Sequence, residues 1–146
     1  MGSANILSQI KLNYQVQISV DGGDIWHALK STDDSFSGFG EAYFSWIKPG
    51  SIKAWKRHLQ MKMNIIVPVG MINFVFFDST TSTYRQECIG ISSYARLTVP
   101  PGIWFGFQGI SENPSLLLNI ANIPHDPYEI ERKTLNEIQF NWQKLT

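Results

Sequence analysis

The stretch GSIKAWKRHLQMKMNIIVPVG, residues 50–70, places a run of basic residues directly before a run of apolar residues. A glycine stands at each end, and the apolar half has the β-branched composition of a buried strand. In the basic half, strand alternation predicts that Lys56 and His58 share one face. Lys53 shares the other face with Arg57 unless a bulge intervenes. The stretch therefore predicts two successive strands, the first of which carries bases on both faces.

Short strand patterns also fill most of the chain on either side of this stretch. Pro68 cannot donate a backbone hydrogen bond, so it predicts a sheet edge or a bulge. Turn residues recur at intervals of roughly 8–12 residues, which is typical of a β-sandwich or a small barrel. A short helix is predicted over 127–138, because Pro127 suits a first helical turn and Glu129 and Glu131 favour that end. The predicted strands are 14–20, 25–30, 41–47, 51–58, 64–70, 71–78, 85–92, 95–100, 103–110 and 115–122.

The composition limits the classes of function. A chain of 146 residues fits one domain, taken as 1–146. Its 12 basic and 12 acidic residues balance, which argues against nucleic-acid and membrane partners. The start of the chain lacks a signal-peptide pattern and the apolar runs are too short to span a membrane, so we expect a cytoplasmic protein. Cys88 is the one cysteine, which excludes an intramolecular disulfide and a zinc-finger spacing.

The quoted stretch also has the spacing of a metal-binding motif. Its two terminal glycines are separated as in the first motif of cupins, which are jelly-roll proteins. The positions of the metal ligands, however, hold Lys56, His58 and Met63, and the histidine position of the second cupin motif holds Phe105. A phenyl ring and an ammonium group offer no lone pair, and a thioether suits soft metals only. We therefore expect no metal and no other cofactor.

Five segments, in order and with compatible gaps, resemble a family of metal-free cupins. They are KAWKRH (53–58), VGMINFVFFDSTTSTY (69–84), VPPGIWFGFQGIS (99–111), SLLLNIANIPHDPYE (115–129) and IQFNW (138–142). Together they resemble the dTDP-4-dehydrorhamnose 3,5-epimerase-like family, in a short subgroup that combines WKRH with IPHDP. The resemblance implies an all-β cupin, a double-stranded β-helix jelly roll, with the short helix at its C-terminal end.

The resemblance implies an enzyme that epimerises or isomerises a nucleotide-linked 4-keto-6-deoxyhexose for surface polysaccharides. The chain departs from the family at the two catalytic positions. Lys56 occupies the position of the catalytic histidine, and Leu118 that of the tyrosine acid. Lys56 or His58 is therefore the expected catalytic base, since a lysine can remove a proton once its pKa is lowered. Two alternatives stay open: a sugar-binding cupin without catalysis, and a jelly-roll scaffold without a ligand.

Further residues are expected to bind the substrate. The bases are candidates for the diphosphate, the asparagines for sugar hydroxyls, and the aromatic residues for stacking. The resemblance further implies a homodimer in which the segment around His27 and Lys30 completes the nucleotide site of the neighbouring subunit. His125 either reaches the mouth of the barrel or forms a structural corner with Asp126. The candidate binding residues are Lys53, Arg57, Lys62, Asn64, Asn119, Trp104, Phe107, His125, His27 and Lys30.

Overall fold

The computed structural model describes residues 5–144, and nearly all of its regular structure is strand. A 3-10 turn, Ile6–Gln9, precedes the first strand, and a second one, Pro127–Glu129, precedes the last. The strands are β1 (Lys11–Tyr14), β2 (Gln17–Ile18), β3 (Ile25–Trp26), β4 (Glu41–Ile47), β5 (Ile52–His58), β6 (Met63–Val69), β7 (Met71–Asp78), β8 (Thr83–Gly90), β9 (Ala95–Val99), β10 (Trp104–Gly109), β11 (Ser115–Ala121) and β12 (Ile130–Arg132).

Two five-stranded antiparallel sheets pack face to face, as the jelly-roll prediction requires. One has the order β1-β9-β6-β11-β4 and is called the first sheet; the other has the order β12-β5-β10-β7-β8 and is called the second sheet. β2 and β3 form a separate two-stranded ribbon. Alternate apolar residues of both sheets point inward, for example Ile72, Phe74 and Phe76 of β7, and share one buried core. This confirms the all-β cupin architecture.

A bulge in β5 changes which of its bases share a face. In the pairing of β5 with β10, Phe105 lies opposite Lys56 and Gly106 opposite Ala54, so Trp55 is the extra residue. Gly106 permits this close approach, because a Cβ atom there would lie 2.5 Å from the Cβ of Ala54. The bulge brings Lys53 onto the inner face with Lys56, whereas Trp55 and Arg57 stay on the outer face.

A second bulge lies at Pro68, as predicted. Leu116 pairs with Val69 and Leu118 with Ile66, which leaves two residues of β6 opposite one of β11. Pro68 is one of these two residues, where the ladder is interrupted and a missing N–H costs little.

The C-terminal helix is much shorter than the sequence pattern predicts. The Asp126 side chain accepts a hydrogen bond from the Tyr128 amide and caps one 3-10 turn, after which the chain becomes extended. Residues 130–132 then pair with β5, so sheet hydrogen bonds replace helical ones. The tail beyond them packs Ile138 against Trp55, Val75 and Trp104, a second buried cluster outside the second sheet.

Within residues 5–144, no helix is both long enough and apolar enough to cross a membrane.

Candidate active site

A cavity of about 560 Å³ opens between the two sheets beside β4 and β5. This volume lies within the range of roughly 300–1,000 Å³ that is usual for small-molecule sites. Residues of β4, β6 and β11 form the wall from the first sheet, including Tyr43, Ser45 and Asn119. Residues of β5, β7, β10 and β12 form the opposite wall, including Lys53, Lys56, Phe105, Phe107 and Arg132.

Basic groups dominate the wall from the second sheet. Lys53, Lys56 and Arg132 all line the cavity, and Arg132 lies directly opposite Lys56 in the pairing of β12 with β5. Lys133 also borders the cavity, but its Nζ lies 5.1 Å from the centre of the Trp104 ring. None of the described residues that line the cavity is an aspartate or a glutamate. The cavity is therefore suited to an anionic ligand.

The bulge in β5 is the exception that the alternation pattern left open, and it turns Lys53 into the cavity instead of onto the face of Arg57. The Nζ of Lys53 donates to the Trp46 carbonyl at 2.8 Å and to Ser45 Oγ at 3.2 Å. Lys53 thus reaches from one sheet to the edge strand of the other. An ammonium group has three donors, so one remains for a ligand.

Lys56 has the electrostatic character of a potential base. Its Nζ lies 5.9 Å from the centre of the Phe105 ring. Burial lowers the pKa of Lys56 from its ordinary value, and the positive charge of Arg132 lowers it further, against an opposing effect of Glu129. A lowered pKa increases the fraction of neutral amine, which is the form that can remove a proton.

His58 lies on the same inner face of β5 but deeper, with only 3 % of its surface exposed. Its Nδ1 is 2.5 Å from Glu129 Oε1, and its ring stacks on Phe105. Burial lowers the pKa of His58, although the hydrogen bond and the charge of Glu129 oppose the shift. The lowered pKa favours the neutral imidazole, and the short contact with the carboxylate favours the tautomer with its proton on Nδ1. The lone pair on Nε2 has no hydrogen-bond partner among residues 5–144.

Glu129, which does not line the cavity, orients this histidine through the contact with its Nδ1. Its Oε2 accepts hydrogen bonds from the backbone amides of Leu59, Gln60 and Met61, at 3.0–3.2 Å. Burial alone would raise the pKa of Glu129, but the hydrogen bonds from His58 and from two of these amides outweigh it and lower the pKa. Glu129 is thus a buried carboxylate whose negative charge is well compensated.

Tyr43 and Asn119 form the polar part of the opposite wall. They lie side by side in the pairing of β4 with β11, and Asn119 Nδ2 donates to the Tyr43 hydroxyl at 3.2 Å. Asn119 is 2 % exposed, and its Oδ1 has no hydrogen-bond partner in the described part of the chain. Leu118, at the family's tyrosine position, is not among the residues that line the cavity.

The structure brings together some of the expected site residues and separates others. Lys53, Lys56, Phe107 and Asn119 line the cavity, and His58 lies directly behind Phe105.

The remaining expected residues lie elsewhere. Arg57 is on the outer face of β5, paired with Glu131, and Trp104 is buried in the outer cluster, because alternation turns both away from the cavity. Lys62 donates a hydrogen bond to Ser37, and Asn64 is hydrogen-bonded to Ser35 and Thr98. His125 lies in an exposed loop. His27 and Lys30 border a separate cavity of about 320 Å³ beside Arg96.

No group of three or more histidine, cysteine or acidic side chains within residues 5–144 is arranged to hold a metal ion. The charge of the cavity likewise disfavours a cation, since its charged lining groups are lysines and an arginine.

Three residues of the site were missed by the sequence reasoning. Glu129 ends one of the family-like segments, which was the available signal, but it was interpreted as an acid at the start of a helix. Arg132 falls in the region predicted to be helical. Tyr43 lies in a strand that was predicted with the observed bounds, but nothing in the strand's own pattern indicates which face points inward.

No model of an established protein family matches the chain. The solved structure of a dTDP-sugar isomerase from Desulfovibrio desulfuricans is 37% identical, covers 91% of this chain and 90% of that chain, and superposes with a TM-score of 0.86.

Two curated proteins are also similar. The probable low-salt glycan biosynthesis epimerase Agl13 of Haloferax volcanii is 30% identical over 91 residues, which is 58% of this chain and 58% of that protein's length. The spore coat polysaccharide biosynthesis protein SpsL of Bacillus subtilis is 22% identical over 94% of this chain and 97% of that protein.

Proposed function

The chain belongs to the dTDP-4-dehydrorhamnose 3,5-epimerase-like family of nucleotide-sugar epimerases and isomerases, and on this basis we propose that it epimerises or isomerises a nucleotide-linked 4-keto-6-deoxyhexose. The names of the two curated relatives support a role in building a polysaccharide or glycan. The proposed active unit is a single cupin domain that needs no metal and no other cofactor.

The observation that carries this proposal is the lowered pKa of Lys56 in a cavity of matching size and charge. Epimerisation beside a ketone begins when a base removes the proton from the neighbouring carbon. The enolate that forms is negatively charged, and the cations of Lys53 and Arg132 on the same wall would stabilise it. We propose that Lys56 is the base that contacts the sugar.

His58 is the second proposed catalytic residue. Its Nε2 is buried without a hydrogen-bond partner among the described residues, and the positive charge of Lys56 contributes to the lowered pKa of His58. Glu129 fixes the ring, so the lone pair has a defined direction. We propose that His58 accepts the proton from Lys56 or shares it during turnover, and that Glu129 is a positioning residue.

The substrate diphosphate is proposed to bind at the basic wall. Charge-assisted hydrogen bonds to phosphate need unpaired lysine or arginine donors, and Lys53 and Arg132 supply them without an acidic residue on the cavity wall. Asn119 and Phe107 are proposed to contact the sugar from the two sides.

We also propose a homodimer. On the outer face of the first sheet, Phe44 and Trp46 of the edge strand β4 are 66% and 57% exposed and pair with Leu118 and Leu116. An apolar sheet face of this kind is unusual on a monomer. A second copy there would border the cavity, because Phe44 also lines it. The segment with His27 and Lys30 is proposed to complete the nucleotide site of the partner subunit. A cytoplasmic location is also a prediction.

The test of the function is solvent isotope exchange. The protein is incubated in D₂O with dTDP-4-keto-6-deoxyglucose and with the matching cytidine and guanosine sugars, and the sugar ring is examined by NMR. Deuterium at a carbon next to the ketone is the expected result, and dTDP-glucose, which has no ketone, is the control. A ligand-dependent rise in melting temperature without exchange would indicate the non-catalytic binding protein instead.

A further inference from the structure

The cavity presents proton-transfer groups on two opposite walls. Lys56 belongs to β5 of the second sheet, whereas Tyr43 belongs to β4 of the first sheet, and the two sheets face each other across the cavity. A sugar ring held between the sheets would therefore show one face to the amine and the other face to the phenol.

Inversion of a carbon centre needs this kind of two-sided arrangement. When a base removes the proton from one face and the same group returns it, the original configuration is restored. The configuration inverts only when a different group delivers a proton to the opposite face of the enolate. A residue that supplies this proton must carry an acidic O–H or N–H and must face the base across the ring.

We propose that Tyr43 is the proton donor for the face opposite Lys56, an inference that rests on the proposed epimerase function. The polar side chains on the first-sheet wall are Tyr43, Ser45 and Asn119. The alcohol of Ser45 and the amide of Asn119 are far weaker acids than the phenol of Tyr43. Tyr43 is therefore the group on this wall that is suited to donate a proton.

Asn119 positions this tyrosine. Its Nδ2 donates to the phenol oxygen, so the phenol O–H is not used in this contact and remains available to donate into the cavity. The same hydrogen bond stabilises negative charge on the oxygen after the proton has left. The unpartnered Oδ1 of Asn119 is buried at the same place, and it can accept a hydrogen bond from a sugar hydroxyl.

The proton balance closes without a further reactant. The neutral amine of Lys56 takes the C–H proton and becomes an ammonium, and the C–H electron pair forms the enolate. Tyr43 gives its hydroxyl proton to the opposite face of that carbon and becomes a phenolate, which restores the ketone. Lys56 then passes its proton by way of His58 to water, and Tyr43 takes one up from water, so the net reaction is inversion at one carbon.

The test separates proton removal from proton delivery in the Tyr43→Phe variant. Deuterium exchange from D₂O and formation of the epimer are measured on the same keto-sugar nucleotide, with dTDP binding and melting temperature as controls of the site and the fold. We expect exchange within about threefold of wild type and epimer formation lower by about 100-fold or more, in the range for loss of a general acid. Tyr128→Phe is the matched control, because this tyrosine is 93% exposed and should leave both rates unchanged.

The possible outcomes distinguish this inference from the proposed function. Absence of exchange and of epimer with wild-type protein would remove the proposed function itself. Wild-type activity with epimer formation in Tyr43→Phe within threefold of normal would overturn the role of Tyr43 alone. An equal fall of exchange and epimer formation, with dTDP binding intact, would also overturn it, because Tyr43 would then act on proton removal.

Discussion

Two neighbouring residue pairs between β5 and β12 differ in charge: one joins a base to an acid, and the other joins two bases. On the outer face of the second sheet, Arg57 of β5 pairs with Glu131 of β12, and the Arg57 guanidinium also lies 4.8 Å from the centre of the Trp104 ring. One residue away on the inner face, Lys56 pairs with Arg132, a cation opposite a cation. Like charges directly opposite each other in a sheet are destabilising.

The difference indicates where this molecule gives up stability for function. The outer base is neutralised by an acid and an aromatic ring, as structural bases usually are. The inner bases have no acid on the cavity wall to neutralise them, and the acid behind them, Glu129, is engaged by His58 and three amides. An uncompensated cluster of this kind is expected where a ligand brings the missing negative charge.

The largest effect that would test this comparison is expected from Lys56→Arg. A guanidinium keeps the charge but does not deprotonate, so kcat should fall by about 10²–10⁴-fold. Because burial and Arg132 lower the pKa of Lys56, the wild-type rate should rise with pH through a value below 10.5 and then level off. Steady-state kinetics across pH measure both. The outer-face variant Arg57→Lys is the control, and an equal loss there would contradict the distinction between the faces.

The next largest effect is expected on stability, from Glu129→Gln. A glutamine side chain has one acceptor oxygen, whereas four donors contact the two oxygens of the Glu129 carboxylate. The substitution therefore leaves a buried donor without a partner. We expect the free energy of unfolding to fall by about 2–4 kcal/mol in urea titrations. Glu131→Gln, on the exposed outer pair, should cost about 0–1 kcal/mol. Similar losses in the two variants would show that the inner carboxylate is not specially bound.

A smaller effect is expected on substrate affinity. Lys53→Met removes one cation from the cavity and its link to β4, and we expect dTDP to bind about tenfold more weakly, which is about 1.4 kcal/mol. Isothermal titration calorimetry at two salt concentrations would measure this, and the wild-type advantage should shrink at high salt. Lys62→Met is the matched control, since Lys62 contacts Ser37 away from the cavity. Unchanged affinity in Lys53→Met would mean that the anion binds elsewhere.

The smallest expected change is the shift of the pH–rate profile in the Arg132→Gln variant. The charge of Arg132 is the second cause of the lowered pKa of Lys56, after burial, so its removal raises that pKa toward the ordinary value. The rising limb of the pH–rate profile should therefore move to higher pH, and the rate at a fixed neutral pH should fall accordingly. A limb that stays in place would mean that a group other than Lys56 controls the profile.

Much of the fold could be predicted because strand patterns are local. β4 was predicted with the observed bounds, and Pro68 lies in a bulge as its missing N–H requires. The tail was predicted less well, because acids after a proline favour a helix start while pairing with β5 favours a strand. The face of Lys53 also depended on a bulge that Gly106 permits at Ala54, and these residues lie about fifty positions apart in the chain.

By itself, the sequence determined an all-β jelly roll, membership of the epimerase-like family, and a basic segment without metal ligands. Composition, alternation and motif order are properties of the linear sequence, so they need no tertiary structure. Only the tertiary structure decided which bases face the cavity, that Glu129 holds His58, and that Tyr43 stands opposite Lys56. The physical reason is that each of these relations joins distant strands. Which strands face each other, and in which register, depends on packing the two sheets together and not on any one segment.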